Sequence, residues 1–557
     1  MSGILNFNVG VLGHVDSGKT SLAKALSTVA STACFDKNPQ SKERGITIDL
    51  GFSSFVVDAP DHVKSSTIEK VQFTLVDCPG HASLIRTIIG GAQIIDAMIL
   101  VIDITKGMQT QTAECLIIGE ILCKTFLVVL NKVDMIPKEK QKNTIEKMTK
   151  RIHLTLQNTK FAGAKVVIVA AKPGGPEAAD TESIGVKELM ESMKDFVYIP
   201  ERNIEGKLLF SVDHCFSIRG QGTVMTGTML QGSVSINDNI EIPTLKVIKK
   251  VKSMQMFKKP VEKAVQGDRL GICVTQFDPK QLERGIVGSP EYIQIAFGTL
   301  ALVEKINYYK LPVETKAKFH ISIGHETVMA KVTFFGSEEV VSSENEFKFE
   351  QEYKHQSELI DLKKLDEDAE YKPVQQYALL EFEKPIHVIA NSILIGSKLD
   401  MDVHTSMCRL AFKGKLLTTF NEKNYNETQL PKLKVFKNKS KEGIVERMSN
   451  DSEVIVRNLL KKDTNIQLFV GLKVKLSSGE EGMIDGSFGQ SGKIKVRISN
   501  GLNENTQTVL KKISGGKKKG KGGQENESPQ QEHTEAIKVV LNFKKYTFST
   551  DKKMIQS

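Results

Sequence analysis

Long apolar runs and closely paired cysteines are what this sequence of 557 residues lacks. No apolar stretch approaches the about 18 residues of a membrane-spanning helix, and no cationic segment precedes an apolar one at the N-terminus. We therefore expect a cytosolic protein without a membrane anchor. The seven cysteines form no C-x-x-C pair, which argues against zinc or disulfide frameworks and fits a reducing compartment. They are Cys34, Cys78, Cys115, Cys123, Cys215, Cys273 and Cys408.

Size and charge set the outer limits of the interpretation. A chain of this length predicts about three to five domains, each large enough to bury a core. Hydrophobic content of 40% and charged content of 25% are typical of a soluble globular protein. The net charge of +10 favours a polyanionic partner only weakly, because much of the excess lies in lysine-rich segments near the C-terminus.

The segment Gly13 to Thr20 has the pattern of a P-loop. It follows a short apolar strand, Phe7 to Leu12, and leads into a helix-like run, Ser21 to Leu26. Glycines at both ends let backbone N–H groups point at a phosphate, Lys19 adds a cation, and Thr20 offers a hydroxyl to Mg²⁺. The pattern predicts a nucleoside triphosphate ligand; the alternative is a chance glycine turn. The predicted phosphate-binding residues are Gly13, Asp16, Ser17, Gly18, Lys19, Thr20 and Ser21.

Residues 1 to about 200 alternate short apolar strands with segments of helix length. This alternation predicts a doubly wound, mostly parallel sheet. Ligands of such sheets bind at the carboxyl ends of the strands, which is where the remaining motifs fall. The strands predicted after the first are Val71 to Val76, Ala97 to Ile102, Thr125 to Leu130 and Lys165 to Ala170.

The pentapeptide Asp77-Cys78-Pro79-Gly80-His81 follows the second of these strands. The Asp77 carboxylate can hold the Mg²⁺ shell through water, and Gly80 leaves the backbone free to turn an N–H toward a γ-phosphate. His81 then lies beside that phosphate, where a side chain must orient the attacking water. The alternative is an ordinary Pro-Gly turn at a strand end.

The segment Asn131-Lys132-Val133-Asp134 predicts that the base is guanine. The Asp134 carboxylate can accept hydrogen bonds from both N1–H and the 2-amino group of guanine, whereas adenine leaves it unpaired. An isolated N-K-x-D is more often a solvated loop, but here it follows the two phosphate motifs in order. Ala171 and Lys172, after the last strand, are expected to contact the guanine O6 through backbone amide.

A switch is predicted between the P-loop and Asp77. Thr47, within Arg44 to Asp49, can add a Mg²⁺ ligand only when a γ-phosphate is present. This segment can therefore be ordered with GTP and released with GDP. The predicted metal ligands are Thr20, Thr47 and Asp77, and the residues predicted to act in GTP hydrolysis are Lys19, Thr47, Gly80 and His81.

In chain order, the four motifs are Gly13 to Thr20, Arg44 to Asp49, Asp77 to His81 and Asn131 to Asp134. Together they resemble the GTPase domain of translational elongation factors. The resemblance implies that Val15 and Ile46 form an apolar gate that keeps His81 from the water until the ribosome presses it inward; without the resemblance, core packing is an equal alternative. Ala170 departs from the serine that the family usually carries before Ala-Lys. Because that contact is mainly to backbone, we expect only slightly weaker base binding.

Glycine-punctuated strands from about Leu208 to Pro290 predict a small antiparallel barrel. It resembles the second domain of these factors, which holds the aminoacyl end of tRNA, and a further β-rich stretch resembles their third domain. The fold class is thus an α/β P-loop GTPase domain followed by β-barrel domains, as in elongation factor Tu. The predicted divisions are 1–203, 204–293, 294–421 with an acidic, aperiodic and mobile insertion at 336–373, and 422–557 with a lysine-rich low-complexity segment at 511–523.

Within the family, the match is closest to the selenocysteine-specific branch. Arg44 to Phe52, His81 to Asp96, Val212 to Phe216 and Gly267 to Gly271 carry it. The resemblance implies an aminoacyl pocket made of Asp213, His214 and Arg269, in which Asp213 orients the histidine. Both cationic side chains can favour an ionised selenol over uncharged serine. Without the resemblance, a packed core histidine and a surface arginine are the more ordinary interpretations.

Beyond about Tyr425 the general factors have no counterpart, and β-type segments predict a fourth domain. They are Lys432 to Lys441, Leu468 to Val474, Gly482 to Ile484, Lys493 to Ile498 and Ala536 to Phe548. The lysine cluster from Lys511 to Lys521 can neutralise phosphates without reading sequence, but a solvated linker is an equal alternative. By resemblance to the eukaryotic and archaeal branch, this domain couples the factor to a selenocysteine-insertion element in mRNA through an element-binding protein.

The sequence therefore predicts a GTPase that uses Mg²⁺, cycles between GTP and GDP, and carries selenocysteinyl-tRNA to the ribosome at recoded UGA codons. We expect a cytoplasmic monomer with no membrane partner; a role of the lysine-rich tail in nuclear entry stays open. Two alternatives stay open as well. One is a general aminoacyl- or initiator-tRNA carrier, and the other is a GTP-regulated ribosome-binding scaffold that carries no amino acid.

Overall fold

Seven strands near the N-terminus form one sheet, here called module 1. The computed structural model describes residues 3–27, 29–30, 51–79, 89, 94–174, 182–257, 259–324, 326–340, 346–366, 368–401, 407–489, 492–515, 536–549 and 554–556. The strands of module 1 are β1 (Gly3–Gly13), β2 (Val29–Ala30), β3 (Gly51–Asp58), β4 (Ile68–Asp77), β5 (Ala97–Asp103), β6 (Thr125–Asn131) and β7 (Val166–Ile168). Their order in the sheet is β2-β3-β4-β1-β5-β6-β7. Strands β4, β1, β5, β6 and β7 run parallel to one another, whereas β3 runs antiparallel to β4.

Helices cover both faces of this sheet. They are α1 (Lys19–Leu26), α2 (Thr110–Leu122), α3 (Lys138–Leu156) and α4 (Val186–Phe196). Leu22 of α1 and Leu189 of α4 belong to one apolar core, whereas Ile118 of α2 and Ile152 of α3 belong to a second. Strands buried on both faces are continuously apolar, as β5 is, because neither face meets water. The predicted doubly wound α/β domain is confirmed.

Nine short strands form module 2. They are β8 (Leu209–Ile218), β9 (Gly222–Gln231), β10 (Ser233–Ser235), β11 (Asn239–Ile242), β12 (Val247–Met256), β13 (Lys259–Val261), β14 (Lys263–Val265), β15 (Arg269–Val274) and β16 (Gly285–Gly288). Seven of them follow the order β11-β16-β8-β9-β15-β12-β13, and β11 also pairs with β12. This extra pairing closes the sheet on itself around Phe210, Met225 and Ile272, so the predicted barrel is confirmed.

Modules 3 and 4 together make a further set of thirteen hydrogen-bonded strands. Module 3 contains β17 (Gln294–Lys305), β18 (Lys318–Ile323), β19 (Glu326–Ser337), β20 (Tyr353–Gln356), β21 (Gln375–Val388), β22 (Ile393–Ser397) and β23 (Leu410–Phe420). Module 4 contains β24 (Val435–Asn450), β25 (Glu453–Arg457), β26 (Lys473–Leu476), β27 (Glu481–Phe488), β28 (Lys493–Ile498) and β29 (Lys538–Tyr546). Helix α5 (Tyr425–Thr428) precedes module 4, and α6 (Glu504–Gly515) lies within it.

Each of these two modules closes through an extra pairing, β18 with β19 and β24 with β29. The modules are joined by a short parallel ladder in which Tyr353 lies beside Val435 and Lys354 beside Phe436. An apolar cluster underlies this joint and contains Phe335, Tyr353, Tyr377, Leu433 and Val435. The fourth, β-rich part of the chain that the sequence predicts is therefore present.

Three details of the sequence interpretation are wrong. The segment predicted as an aperiodic, mobile insertion contains β20, and its residues Phe347 and Tyr353 are buried in the apolar cluster under the joint. Hydrophobic residues spaced irregularly among acidic ones hid this strand from a pattern search. Lys511 and Lys512 lie in α6 rather than in a low-complexity segment. The strand expected from Leu468 to Val474 is instead a 3-10 turn, Ile466–Leu468, followed by β26.

Candidate nucleotide and aminoacyl sites

The P-loop geometry depends on two glycines. Gly13 has a φ of 148°, and a Cβ there would lie 2.3 Å from the carbonyl oxygen of Val101. Gly18 has a φ of 90° at the start of α1, and its Cβ would lie 2.2 Å from the side-chain nitrogen of Asn131. Only glycine fits both positions without moving neighbouring atoms. Sequence reasoning predicted this loop and the helix after it correctly.

Lys19 and Thr20 occupy the first turn of α1. Lys19 is 5% exposed, and its ammonium donates to the carbonyl of His14 at 2.7 Å. Burial lowers the pKa of Lys19, and the charge of Asp77 partly opposes that change. The Thr20 hydroxyl donates to the Asp77 carboxylate at 2.6 Å, so two of the predicted metal ligands meet at the carboxyl end of β4. A hydroxyl and a buried carboxylate are the hard oxygen donors that Mg²⁺ prefers, so these residues fit that ion.

Asn131 ties three loops of the candidate base site together. Its side-chain nitrogen donates to the carbonyl of Ser17 at 2.9 Å, and its side-chain oxygen accepts from the N–H of Ala171 at 3.1 Å. The half-buried Asp134 carboxylate accepts from the N–H of Gly174 at 3.0 Å. The structure therefore brings together the P-loop, the N-K-x-D segment and the loop containing Lys172.

Asp103, at the end of β5, is a residue of this region that sequence reasoning missed. Its carboxylate contacts the Lys132 ammonium at 2.9 Å and accepts from the Thr105 hydroxyl at 2.6 Å. Lys132 has a left-handed backbone, with a φ of 66°, which turns the chain sharply between β6 and Asp134. An aspartate at a strand end in this sheet was the available signal, since that is where the ligand-binding side chains lie.

Several predicted residues stay predictions. Ile46, Thr47, Gly80 and His81 lie outside the described residues. Val15 is half-buried and Ser21 is in the first turn of α1. The proposed apolar gate and the water-orienting histidine are thus inferred from the resemblance and from their positions in the sequence.

Modules 1 and 2 dock through a polar face that sequence reasoning also missed. The Asn8 side chain on β1 donates to the carbonyl of Gly267 at 3.0 Å, and Asn6 donates to the Asp268 carboxylate at 2.5 Å. Nearby, Arg202 donates to Asp96 at 2.7 Å. Asparagines at alternate positions of an otherwise apolar strand were the visible signal, because buried polar groups need partners.

Arg269 lies at this interface and makes the contacts that define the candidate aminoacyl site. Its guanidinium is 5% exposed, forms a buried ion pair with Asp213 and lies 3.4 Å from the Thr228 hydroxyl. The guanidinium carbon also lies 3.1 Å from the ring centre of Phe52, at the start of β3. Burial lowers the pKa of Arg269, and Asp213 opposes that change.

His214 follows a bulge in β8 and lies opposite Thr226 of β9. The Asp213 carboxylate pairs with Arg269, so the predicted orientation of His214 by Asp213 stays a prediction. A cleft of about 150 Å³ begins beside Arg269 on module 2. Its walls are mainly apolar and include Phe216, Ile218 and Val224. Such a cleft suits a small, largely apolar group adjoining a charged one.

Comparisons with known proteins agree with this arrangement. The family models that match are Elongation factor Tu GTP binding domain (residues 5–199), Elongation factor Tu domain 2 (222–288), Selenocysteine-specific elongation factor, eukaryotes, 3rd domain (300–414) and eEFSec C-terminal RIFT domain (431–552). A mouse selenocysteine-specific elongation factor is 54% identical over 579 residues, covering 99% of each chain. The chain belongs to the selenocysteine-specific elongation factors. It is therefore a translational GTPase that binds and hydrolyses GTP.

Other selenocysteine-specific elongation factors extend the comparison. One from Methanocaldococcus jannaschii is 33% identical over 512 residues, which cover 91% of this chain and 97% of that protein. The crystal structure of translation elongation factor SelB from Methanococcus maripaludis with the GTP analogue GppNHp has a TM-score of 0.66 at 25% identity, covering 98% of this chain and 100% of that one. The apo form of the same protein has a TM-score of 0.62 at 26% identity, with the same coverage.

Proposed function

We propose that the GTP-bound protein holds selenocysteinyl-tRNA through module 2 and delivers it to the ribosome at UGA codons recoded by a selenocysteine-insertion element. The observation that carries this proposal is the buried Arg269 beside an apolar cleft. Asp213 neutralises its charge and uses part of its hydrogen-bonding capacity, but a guanidinium has five N–H donors. The remaining donors can hold an ionised selenol, which serine cannot provide.

Selectivity follows from the burial of this pair. A buried donor that loses its charged acceptor costs more free energy than an exposed one, by about 1–3 kcal/mol. A serine hydroxyl in the same place is uncharged at neutral pH and hydrogen-bonds more weakly than a selenolate. The site therefore discriminates against serine mainly because serine supplies no charged hydrogen-bond acceptor. His214, next along β8, adds cationic capacity when it is protonated.

The phosphate site supplies the switch. Lys19 and the N-terminus of α1 would hold the phosphates, and the Thr20 hydroxyl and Asp77 carboxylate would hold Mg²⁺. When bound there, the ion would supply positive charge that offsets the charge developing on the phosphates during hydrolysis. Thr47 and Gly80 sense the γ-phosphate, and His81 orients the attacking water. Asp134 selects guanine, with Asn131 holding the neighbouring loops in position.

The two sites are close enough to communicate. Phe52 is the second residue of β3, which follows the predicted switch segment closely in sequence, and its ring lies against the guanidinium of Arg269. Opposite Phe52, β4 continues to Asp77. A change in residues 44–49 on GTP hydrolysis would therefore be transmitted to Phe52, which supports Arg269. Loss of this support releases the aminoacyl group.

The decisive experiment measures binding of matched tRNAs charged with serine, cysteine and selenocysteine to protein loaded with a GTP analogue or GDP. We expect a preference for selenocysteinyl-tRNA that needs the GTP analogue and is lost in Arg269→Ala. Arg219→Ala is the matched control, since Arg219 is an exposed arginine in the turn after β8. Equal binding of the seryl form would favour a general carrier. Absence of any aminoacyl-dependent binding would favour a scaffold.

Further parts of the proposal concern organisation and partners. We infer four domains with boundaries at residues 1–203, 204–293, 294–421 and 422–557, and a monomer as the working form. We infer that module 4 is coupled to the insertion element in mRNA through an element-binding protein. Deletion of residues 422–557 is expected to spare GTP binding and to abolish UGA recoding in a reconstituted translation assay; loss of GTP binding would contradict this division.

A further inference from the structure

A strip of lysines separates the apolar cores of modules 3 and 4. Along β24, Val435 is buried, whereas at the next two positions on the same side of the strand Lys437 is half-buried and Lys439 is exposed. On the partner strand β29, Leu541 and Phe543 are buried. Two residues further on, that side reaches Lys545. The same side of β24 thus runs from the buried Val435 through Lys437, Lys439 and Lys441 to the buried Gly443.

The strip brings like charges close together. Lys437 lies directly opposite Lys545 in the β24–β29 ladder, and Lys439 lies opposite Phe543. Like charges directly opposite each other destabilise a sheet. Lys316, in a turn of module 3, is close enough to lower the pKa of Lys437 along with Lys439 and Lys545, after the larger effect of burial. Four lysines from three chain segments therefore form one cluster of positive charge.

The half-buried His355 of β20 lies close enough to these lysines to be affected by their charge. Its pKa is lowered to about 4, chiefly by burial and in part by the charges of Lys437, Lys316 and Lys439. The nearby ion pair uses the other face of the ladder, where Lys544 contacts Glu352 at 2.7 Å. Within the described residues, no carboxylate forms an ion pair with Lys437, Lys439 or Lys545. The positive charge of the strip thus lacks an internal counterion in this part of the chain.

We propose that the strip formed by Lys316, Lys437, Lys439 and Lys545 binds the phosphate backbone of the carried tRNA, away from its aminoacyl end. This proposal rests on the proposed function, because that function supplies the RNA. Alternate residues of a strand are about 6.6 Å apart, which suits neighbouring phosphates of one RNA strand. Clustering these charges costs stability in the free protein, and an anionic ligand relieves that cost.

A tRNA fits this strip better than the mRNA element does. Lysines on an extended strand neutralise phosphates but do not read bases. The tRNA needs no further reading here, because the aminoacyl site on module 2 selects it. An mRNA element must be distinguished from all other transcripts, and that requires contacts to bases or to a particular RNA shape.

The test compares salt dependence of binding in the full-length protein loaded with a GTP analogue. Each lost phosphate contact lowers the slope of log Kd against log salt by about 0.7–0.9. The triple variant Lys437→Ala, Lys439→Ala and Lys545→Ala is therefore expected to lower the slope by about 2–3 with selenocysteinyl-tRNA and with uncharged tRNA. Lys538→Ala is the matched control on the other face of β29 and should leave the slope unchanged.

A second variant separates folding from binding. Lys437→Glu places a carboxylate opposite Lys545, so its melting temperature is expected to equal or exceed that of the parent protein while tRNA affinity falls. Unchanged affinity and slope in both variants would overturn the proposal. A slope change seen with the insertion-element RNA but not with tRNA would overturn the assignment to tRNA. If the wild type shows no preference for selenocysteinyl-tRNA, the proposed function is wrong. The salt slopes measured with uncharged tRNA would still decide whether the strip binds tRNA phosphates.

Discussion

Replacing Glu114 by alanine is expected to weaken the docking of module 3 on module 1 strongly. Glu114 lies on α2, and Arg409 immediately precedes β23. The carboxylate accepts from the backbone N–H, Nε and Nη2 of Arg409 at 3.1, 3.0 and 2.7 Å, and both side chains are 4% exposed. Removing one partner of a buried pair leaves an uncompensated charge and costs about 3–5 kcal/mol.

The surface pair Lys413–Glu304 provides the matched control. Its side chains are 37% and 47% exposed, and such pairs contribute about 0–1 kcal/mol. Glu304→Ala should therefore leave docking nearly unchanged. The double variant Glu114→Leu with Arg409→Met removes both charges and should recover most of the loss, because Leu116, Ile306 and Leu410 already make this interface apolar.

Hydrogen exchange of α2 and β23, combined with small-angle scattering, measures this docking directly. A global unfolding curve is less suitable, since a chain of several modules does not unfold in two states. Faster exchange at both elements and a larger radius are expected for Glu114→Ala alone. If Glu114→Ala behaves like Glu304→Ala, or if the double variant is as impaired as the single one, the assigned role of the buried pair is wrong.

Three further predictions concern the nucleotide site, the aminoacyl site and the joint between modules 3 and 4. Gly13→Ala forces a Cβ against the Val101 carbonyl and should abolish GTP binding in a filter assay. Phe52→Ala should lower affinity for selenocysteinyl-tRNA by about 2- to 30-fold, because a buried cation–π contact contributes about 0.5–2 kcal/mol. His355 has a folded-state pKa of about 4 against an ordinary value of 6.5, so the unfolded chain binds more protons between these values. Stability should therefore fall as the pH drops from about 6.5 to 4, and His355→Gln should flatten that part of a melting-temperature profile.

Local motifs were predictable because their residues are neighbours in sequence. The turn at Gly13 and Gly18 and the position of the Lys19 cation follow from strand, glycine loop and helix in that order. The continuous apolar runs in β5 and β6 likewise gave the bounds of these strands to within one residue. In these places, short-range geometry determines the structure.

Contacts between modules were not predictable in the same way. Asn8 meets Gly267 across 259 positions, and neither residue type implies the other. The resemblance placed Asp213 and Arg269 in one pocket, but only the folded structure pairs them and sets Phe52 against the guanidinium. Tyr353 lies in a segment whose acidic and aperiodic sequence predicts a mobile insertion, and burial of its four-residue strand depends on neighbours from elsewhere in the chain.

The order of strands in module 4 has a consequence for its biosynthesis. Strand β24 opens the module, and nine of its residues pair with β29, which lies close to the C-terminal end of the sequence. The ladder cannot close while β29 is still inside the ribosomal tunnel, so β24 leaves the ribosome with an unsatisfied edge. A premature stop codon shortly before Lys538 would make that edge permanent, and the truncated product should aggregate although its GTPase module is intact.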